Sequence, residues 1–153
     1  MTVPDNLAPT GQVEARRGNS DVMSDSPESV IRNFMDSWED ATVEKLAGFF
    51  REDAVCKDPR GAHSGLDAIK KLWESDLQMA PSTTVDIKSI ASNGGTVMVE
   101  RVDTFPIQGK PFGFEIVGVF EVGSDGLITR WQEYYDRRSL EDQLEAAGIA
   151  IPT

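Results

Sequence analysis

At 153 residues the chain is long enough for one domain with a proper core and too short for two ordinary ones. Its formal net charge of −11 argues against nucleic acid and against an anionic membrane as partners, since both repel an acidic protein; solubility is the plainest use of that charge. The only cysteine, Cys56, excludes an intramolecular disulfide and a thiolate metal site. The only histidine, His63, sits in a Gly/Ser-flanked stretch with no nucleophile motif beside it, which leaves a Ser-His-Asp triad without support. The chemistry is left to carboxylates, Arg, Lys and Tyr, with no metal and no organic cofactor expected. No apolar run approaches the roughly 20 residues needed to cross a bilayer. The N-terminus lacks the charged start and apolar core of a secretory signal, so a cytoplasmic location is the expectation.

Residues 1–24 are rich in Pro, Gly, Asn, Ser and Asp without a sustained period and read as a flexible tail. A single domain is expected over 25–148, with a short C-terminal tail over 149–153. Order begins at Ser26-Pro27-Glu28, a cap followed by proline at the first helical position and an acid in the first turn. Val30, Ile31, Phe34, Met35 and Trp38 then recur at helical spacing to about Glu39. A short second helix runs through Val43, Leu46, Ala47 and Phe50. A strand is expected over Asp53 to Asp58, stopped by Pro59, with a loop from Gly61 to Gly65 and a third helix from about Leu66 to Met79. After Pro81 the apolar period changes to two. Strands are expected at 83–91, 96–106, 111–123 and 127–136, separated by Asn93-Gly94-Gly95, Gln108-Gly109-Lys110 and Ser124-Asp125-Gly126. A last helix runs from about Leu140 to Ala147 and ends at Gly148. The layout is α+β: a mostly antiparallel sheet with helices covering one face.

Period two tells which side chains share a face. In the strand over 96–106, Val97, Val99, Arg101, Asp103 and Phe105 lie together, so a charged pair continues an apolar face. In the last strand Leu127, Thr129, Trp131, Glu133 and Tyr135 lie together. An acid on an apolar face needs a partner or becomes neutral. Two readings stay open at this stage, because period alone does not say which face is buried. Arg101 and Asp103 form either a structural ion pair on a partly wet face, with Glu133 facing solvent, or an acid–arginine–acid site. The second reading suits epoxide opening without a covalent intermediate, which needs an acid at the leaving oxygen and a base for the attacking water. An arginine has the donors to hold both. Asp58, at a strand end before Pro59, is a further candidate or simply a turn aspartate. Cys56 shares its face and reads as packing rather than as a nucleophile. Val97, Val99, Phe105, Phe114, Trp131 and Tyr135 are suited to line an apolar pocket, and Phe34, Trp38 and Cys56 join them as substrate-contact candidates.

The stretches Glu100-Arg101-Val102-Asp103, Ile116-Val117-Gly118-Val119-Phe120 and Ile128-Thr129-Arg130-Trp131-Gln132-Glu133-Tyr134-Tyr135-Asp136 resemble the limonene-1,2-epoxide hydrolase family. That family belongs to the cone-shaped folds shared with nuclear transport factor 2, ketosteroid isomerase and polyketide cyclases. The likeness runs from about Ser26 to Leu144. It implies a curved mixed sheet on three N-terminal helices forming a conical pocket, a small apolar epoxide as substrate, and a homodimer joined through the outer sheet face. It also implies Asp103 as general acid, Arg101 as bridge and Glu133 as base. The chain departs from the family in having Glu133 where the base is an aspartate. Cys56 and Asp58 stand where a Tyr and an Asn hold the water. Three carboxyls in one pocket do not all ionise cheaply, so at least one is expected to be protonated near neutral pH.

Lys57-Asp58-Pro59-Arg60-Gly61 also resembles ketosteroid isomerase around its proton-shuttling aspartate. Phe34 and Gly118, however, stand where that enzyme's two oxyanion donors would be, and an isomerase without them forfeits most of its enolate stabilisation. The Asp58 position is functional as well in epoxide-opening cyclases of polyether biosynthesis, where a substrate hydroxyl attacks in place of water. A non-catalytic binding module of the same fold is the remaining alternative.

Overall fold

The structure is a computed structural model that describes residues 26–150. The tail expected over 1–24, and residues 151–153 of the tail expected over 149–153, lie outside the described residues. Helix α1 (Pro27–Asp36) opens as the sequence predicts: the Ser26 hydroxyl accepts from the Ser29 amide, Pro27 needs no intrahelical partner, and Glu28 complements the N-terminal dipole. It ends at Asp36, before the expected Glu39, where the Ser37 hydroxyl donates to the Phe34 carbonyl at 2.6 Å. Helix α2 (Val43–Ala47) is capped by Thr42, and α3 (Leu66–Met79) has the expected bounds. Helix α4 (Arg137–Ala146) starts three residues ahead of the expectation because Asp136 caps it, accepting from the Ser139 amide.

Strand β1 (Phe50–Asp58) is longer than its sequence signal, and the loop expected over 61–65 is a strand, β2 (Gly61–Ser64). Pro59 and Arg60 make a two-residue turn, and Gly61 takes φ of 144°, so Asp58 pairs directly with Gly61. Strands β3 (Thr84–Asn93), β4 (Thr96–Ile107), β5 (Lys110–Val122) and β6 (Ile128–Tyr134) form the antiparallel meander. Gln108 and Gly109 both have positive φ, at 52° and 76°, the conformation a two-residue hairpin demands.

The six strands run in the order β2-β1-β6-β5-β4-β3, with β1 parallel to β6 and every other pair antiparallel. The first and last strands of the domain thus meet inside the curved sheet, which brings Cys56 into register with Trp131. One face packs on the helices around Phe34, whose ring lies 5.1 to 6.0 Å from those of Trp38, Phe49, Phe50, Phe120 and Trp131. These contacts are edge-on or tilted, as aromatic quadrupoles prefer. Four buried residues, Ile107, Phe112, Leu144 and Ile149, form a second cluster that holds α4 to the sheet. Ile149, expected in the C-terminal tail, is therefore part of the packed domain, and its amide donates to the Leu144 carbonyl at 2.9 Å. Among the described residues no helix is long and apolar enough to cross a membrane.

Strand β6 departs from simple alternation. Its register slips between the pairs Glu121–Arg130 and Val122–Ile128, leaving Thr129 as an extra residue. Ile128, not Leu127, is therefore fully buried, while Trp131 and Glu133 still face inward as expected.

Candidate active site

Strands β4, β5 and β6 carry the inner face of a cavity of about 200 Å³, roofed by Met35 and Trp38 near α1, by Trp73 and Met79 of α3, and by Leu140 and Leu144 of α4. Four charged residues are buried against it, Asp58, Arg101, Asp103 and Glu133, in a lining that is otherwise mostly apolar. The alternation read from the sequence settles here, with Val97, Val99, Arg101 and Asp103 all inward.

Arg101 is the centre of the inner group. Its Nε donates to Asp103 Oδ1 at 2.9 Å and its Nη2 to Asp103 Oδ2 at 3.3 Å. On the other side Nη1 donates to Glu133 Oε2 at 3.1 Å, and Nη2 makes a short contact to Glu133 Oε1. The guanidinium is 2% exposed. Burial works against its charge, but the carboxylates of Glu133 and Asp103 outweigh burial and hold its pKa above the ordinary arginine value. For the two acids the balance falls the other way. Burial pushes Asp103 above the usual carboxyl range despite the attraction of Arg101. Burial raises Glu133 as well, with Arg101 opposing and the negative charge of Asp103 adding to the rise. One cation between two reluctant acids is neutral when a single proton stays on the pair.

The geometry depends on Gly118, which the sequence reading noted only as standing where an oxyanion donor would be. Arg101 and Glu133 lie on β4 and β6, with β5 between them, and Gly118 of β5 pairs with Glu133. A Cβ on Gly118 would come within 2.7 Å of Arg101 Nη1 and 2.9 Å of Glu133 Oε2. The missing side chain is the opening through which the guanidinium crosses the strand. A glycine inside the β-branched run Ile116-Val117-Gly118-Val119 is the signal, because strand glycines mark close approach.

Arg60 and Asp76 were missed too. The Arg60 amide donates to Asp58 Oδ1 at 2.8 Å, and its Nε and Nη2 donate to Asp58 Oδ2 at 2.9 and 2.7 Å. The same guanidinium reaches Asp76 on α3 at 2.9 and 3.3 Å. Asp58 is thus no bare base, and both arginines balance acids in one cavity wall. Burial here also opposes the charge of Arg60, and Asp76 and Asp58 reverse it, raising its pKa.

The remaining expected residues divide between cavity and core. Cys56, Trp38, Phe105, Phe114, Trp131 and Tyr135 line the cavity. Phe34, Val97 and Val99 do not; all three are fully buried in the core cluster under α1, beyond reach of a ligand. Burial, with the negative charges of Glu133 and Asp58, pushes the Cys56 thiol up to about 12, which fits packing and not nucleophilic chemistry. Burial likewise pushes Tyr135 up to about 12, so its phenol stays protonated at neutral pH. Among the described residues no group of three His, Cys, Asp or Glu side chains is arranged to hold a metal ion.

Sheet and helices together define a class, the α+β folds of the ketosteroid isomerase-like kind. Within that class the chain belongs to the SnoaL-like domain family, which matches residues 31–131. It is 42% identical over 52 residues to the epoxide hydrolase EphG of Mycobacterium tuberculosis, a stretch that makes up 34% of this chain and 34% of that protein. The matched stretch thus spans about a third of the length of that curated relative. An M. tuberculosis LEH-like epoxide hydrolase superposes with a TM-score of 0.68 at 23% identity, over 78% of this chain and 90% of that one. A Catenulispora acidiphila protein of ketosteroid isomerase-like fold, solved with trimethylamine, superposes with a TM-score of 0.69 at 22% identity, over 82% and 95% of the two chains. At these identities the two structures speak for the fold alone.

Proposed function

We propose that the protein is a cofactor-independent epoxide hydrolase that adds water to a small apolar epoxide and releases a vicinal diol. The observation that carries this reading is the buried Asp103–Arg101–Glu133 group, two acids with raised pKa values held by one arginine at the end of an apolar cavity. A carboxyl that keeps its proton at neutral pH is a general acid; a carboxylate beside it is a general base.

The reaction balances within the group. Glu133 takes a proton from water as the water oxygen attacks a ring carbon. The carbon–oxygen bond opens, and the ring oxygen takes the proton of Asp103. Asp103 Oδ2, the more loosely held oxygen at 3.3 Å from Arg101, is the natural seat of that proton. Before and after the step the group holds one cation, one anion and one neutral acid, so no charge is created in a dry site, where it would be costly. A proton returns from Glu133 to Asp103 through solvent once the diol leaves. At about 200 Å³ the cavity lies below the ~300–1,000 Å³ common for drug-sized ligands, which favours a small substrate.

The similarity to an epoxide hydrolase over a third of the chain supports the same reading. A cyclase, in which Asp58 activates a substrate hydroxyl, is the second reading, because Asp58 lines the same cavity. The grip of Arg60 on both of its oxygens speaks for hydrolysis. A homodimer joined through the outer sheet face, where Met98, Val117 and Tyr134 are exposed, accompanies the proposal.

The test uses racemic limonene oxide or styrene oxide in oxygen-18 water. Labelled diol is the expected product, and Asp103→Asn and Glu133→Gln each lower turnover by roughly 10²–10⁴-fold. Unlabelled cyclic ether from a hydroxy-epoxide, or two variants as active as the parent, defeats the proposal.

A further inference from the structure

The Trp131 indole N–H is buried and has no hydrogen-bond partner among the described residues. A buried donor left unpaired is costly, and native structures seldom carry one without a reason. Trp131 stands two residues before Glu133 on the inward face of β6, and both line the cavity. The indole acts on the Glu133 carboxyl and favours its charged form, yet the geometry stops short of a hydrogen bond.

A carboxylate offers about four lone-pair sites. Arg101 takes one on each oxygen of Glu133, through Nη1 and Nη2. Two sites remain, and the attacking water needs one of them. The other charged or titratable groups around Glu133 offer no better donor. Asp103 of β4 and Asp58 of β1 are acids, Cys56 of β1 is a weak donor, and Gly118 of β5 has no side chain. Tyr135 lines the same cavity and carries a phenol, but it makes no hydrogen bond to Glu133.

We propose that Trp131 is a positioning residue for the base: its indole N–H closes onto the Glu133 carboxylate and leaves one lone pair for the attacking water. This assignment rests on the hydrolase reading for its catalytic meaning, but not for its geometry. With no phenol and no amide on β1 to orient the water, orientation falls to the base, and a base held by three donors has only one direction left.

The first measurement needs no turnover. In the full chain labelled with nitrogen-15, the three tryptophans give three indole signals, assigned through Trp38→Phe and Trp73→Phe. The Trp131 signal should move downfield as Glu133 ionises and hold still in Glu133→Gln. The second is Trp131→Phe, which keeps an aromatic wall and removes only the N–H. Its kcat should fall about tenfold or more, the usual effect of losing a hydrogen bond to a charged group. KM should change little, and the acidic limb of kcat/KM should move to higher pH, because a donor that favours the ionised base is gone. A purely structural role would leave that limb in place. An indole signal indifferent to Glu133, or a folded Trp131→Phe with an unmoved limb, overturns the assignment. Should the parent turn over no epoxide at all, the hydrolase reading falls and the nuclear resonance result still decides this one.

Discussion

One cavity wall holds two arginines, each between two carboxylates, and their surroundings make them different devices. Arg101 is 2% exposed, while the Arg60 side chain is 40% exposed and ties the β1–β2 turn to α3. In water a charge is cheap, so Arg60 and Asp76 are a surface clasp of modest value that happens to hold Asp58 in place. Away from water every charge must be paired, and the acids beside Arg101 keep their protons more tightly. An arginine between two carboxylates therefore gives a brace in one place and a proton-handling group in the other. Access to solvent decides which.

Removing each arginine should expose the contrast most sharply. Arg101→Met leaves two buried acids without their cation, with an expected loss of about 3–5 kcal/mol and of essentially all turnover. Arg60→Met should lose less, because Asp76 is left in solvent and Asp58 is the one buried carboxylate that loses its cation. Urea midpoints of the two variants measured side by side give the answer; equal losses would mean that burial is not what separates the two groups. Next in size is Gly118→Ala. The added methyl meets Arg101 Nη1 and Glu133 Oε2 at under 3 Å, so the variant should fold with a penalty of about 1–3 kcal/mol and turn over poorly. Alanine at a more open strand glycine, Gly113, whose nearest neighbour would be the Thr104 hydroxyl at 3.5 Å, is the matched control.

Asp58→Asn should be milder still. Under hydrolysis it keeps the packing and part of the hydrogen bonding to Arg60, so turnover should stay within about tenfold of the parent, well short of the 10²–10⁴ expected for a general base. A drop as deep as that of Glu133→Gln would make Asp58 the base and revive the cyclase. The smallest effect concerns stability against pH. Glu133 has a folded pKa raised above its ordinary 4.5, so the folded chain holds this proton more tightly than the unfolded chain does. The resulting stabilisation is complete below the ordinary value and is lost as pH rises through the folded value. Glu133→Gln should remove that fall, flattening urea midpoints against pH just above 4.5 relative to the parent.

The order of helices and strands was legible because its causes are local: Ser26-Pro27 starts a helix, Gln108-Gly109 turns a hairpin, and period two marks a strand. The inward parity of Arg101, Asp103, Trp131 and Glu133 was legible for the same reason. Depth was not. Strand β4 spans 12 residues, roughly 40 Å of chain, so one continuous face serves core and cavity in turn. Val97 and Val99 fall on the core stretch and Asp103 and Phe105 on the cavity stretch, which alternation does not distinguish. Phe34 was misplaced likewise, since helical spacing gives the buried side of α1 and not what that side meets. Contacts made by the fold itself stayed hidden. Arg60 and Asp76 are 16 residues apart on a turn and a helix, and β2 declared itself only as a partner for β1.

The extra residue at Thr129 has a consequence for how the protein can change. Upstream of it, even-numbered Ile128 plugs the core; downstream, odd-numbered Trp131 and Glu133 point into the cavity. Ile128 and Trp131 stand three apart and yet both face inward, because Thr129 is one residue too many between them. Deleting Thr129 would leave them two apart, the spacing of ordinary alternation, so the base would stay in the cavity and the strand would lose only the local bend and twist that the extra residue gives it. The strand can shed that residue and keep its chemistry.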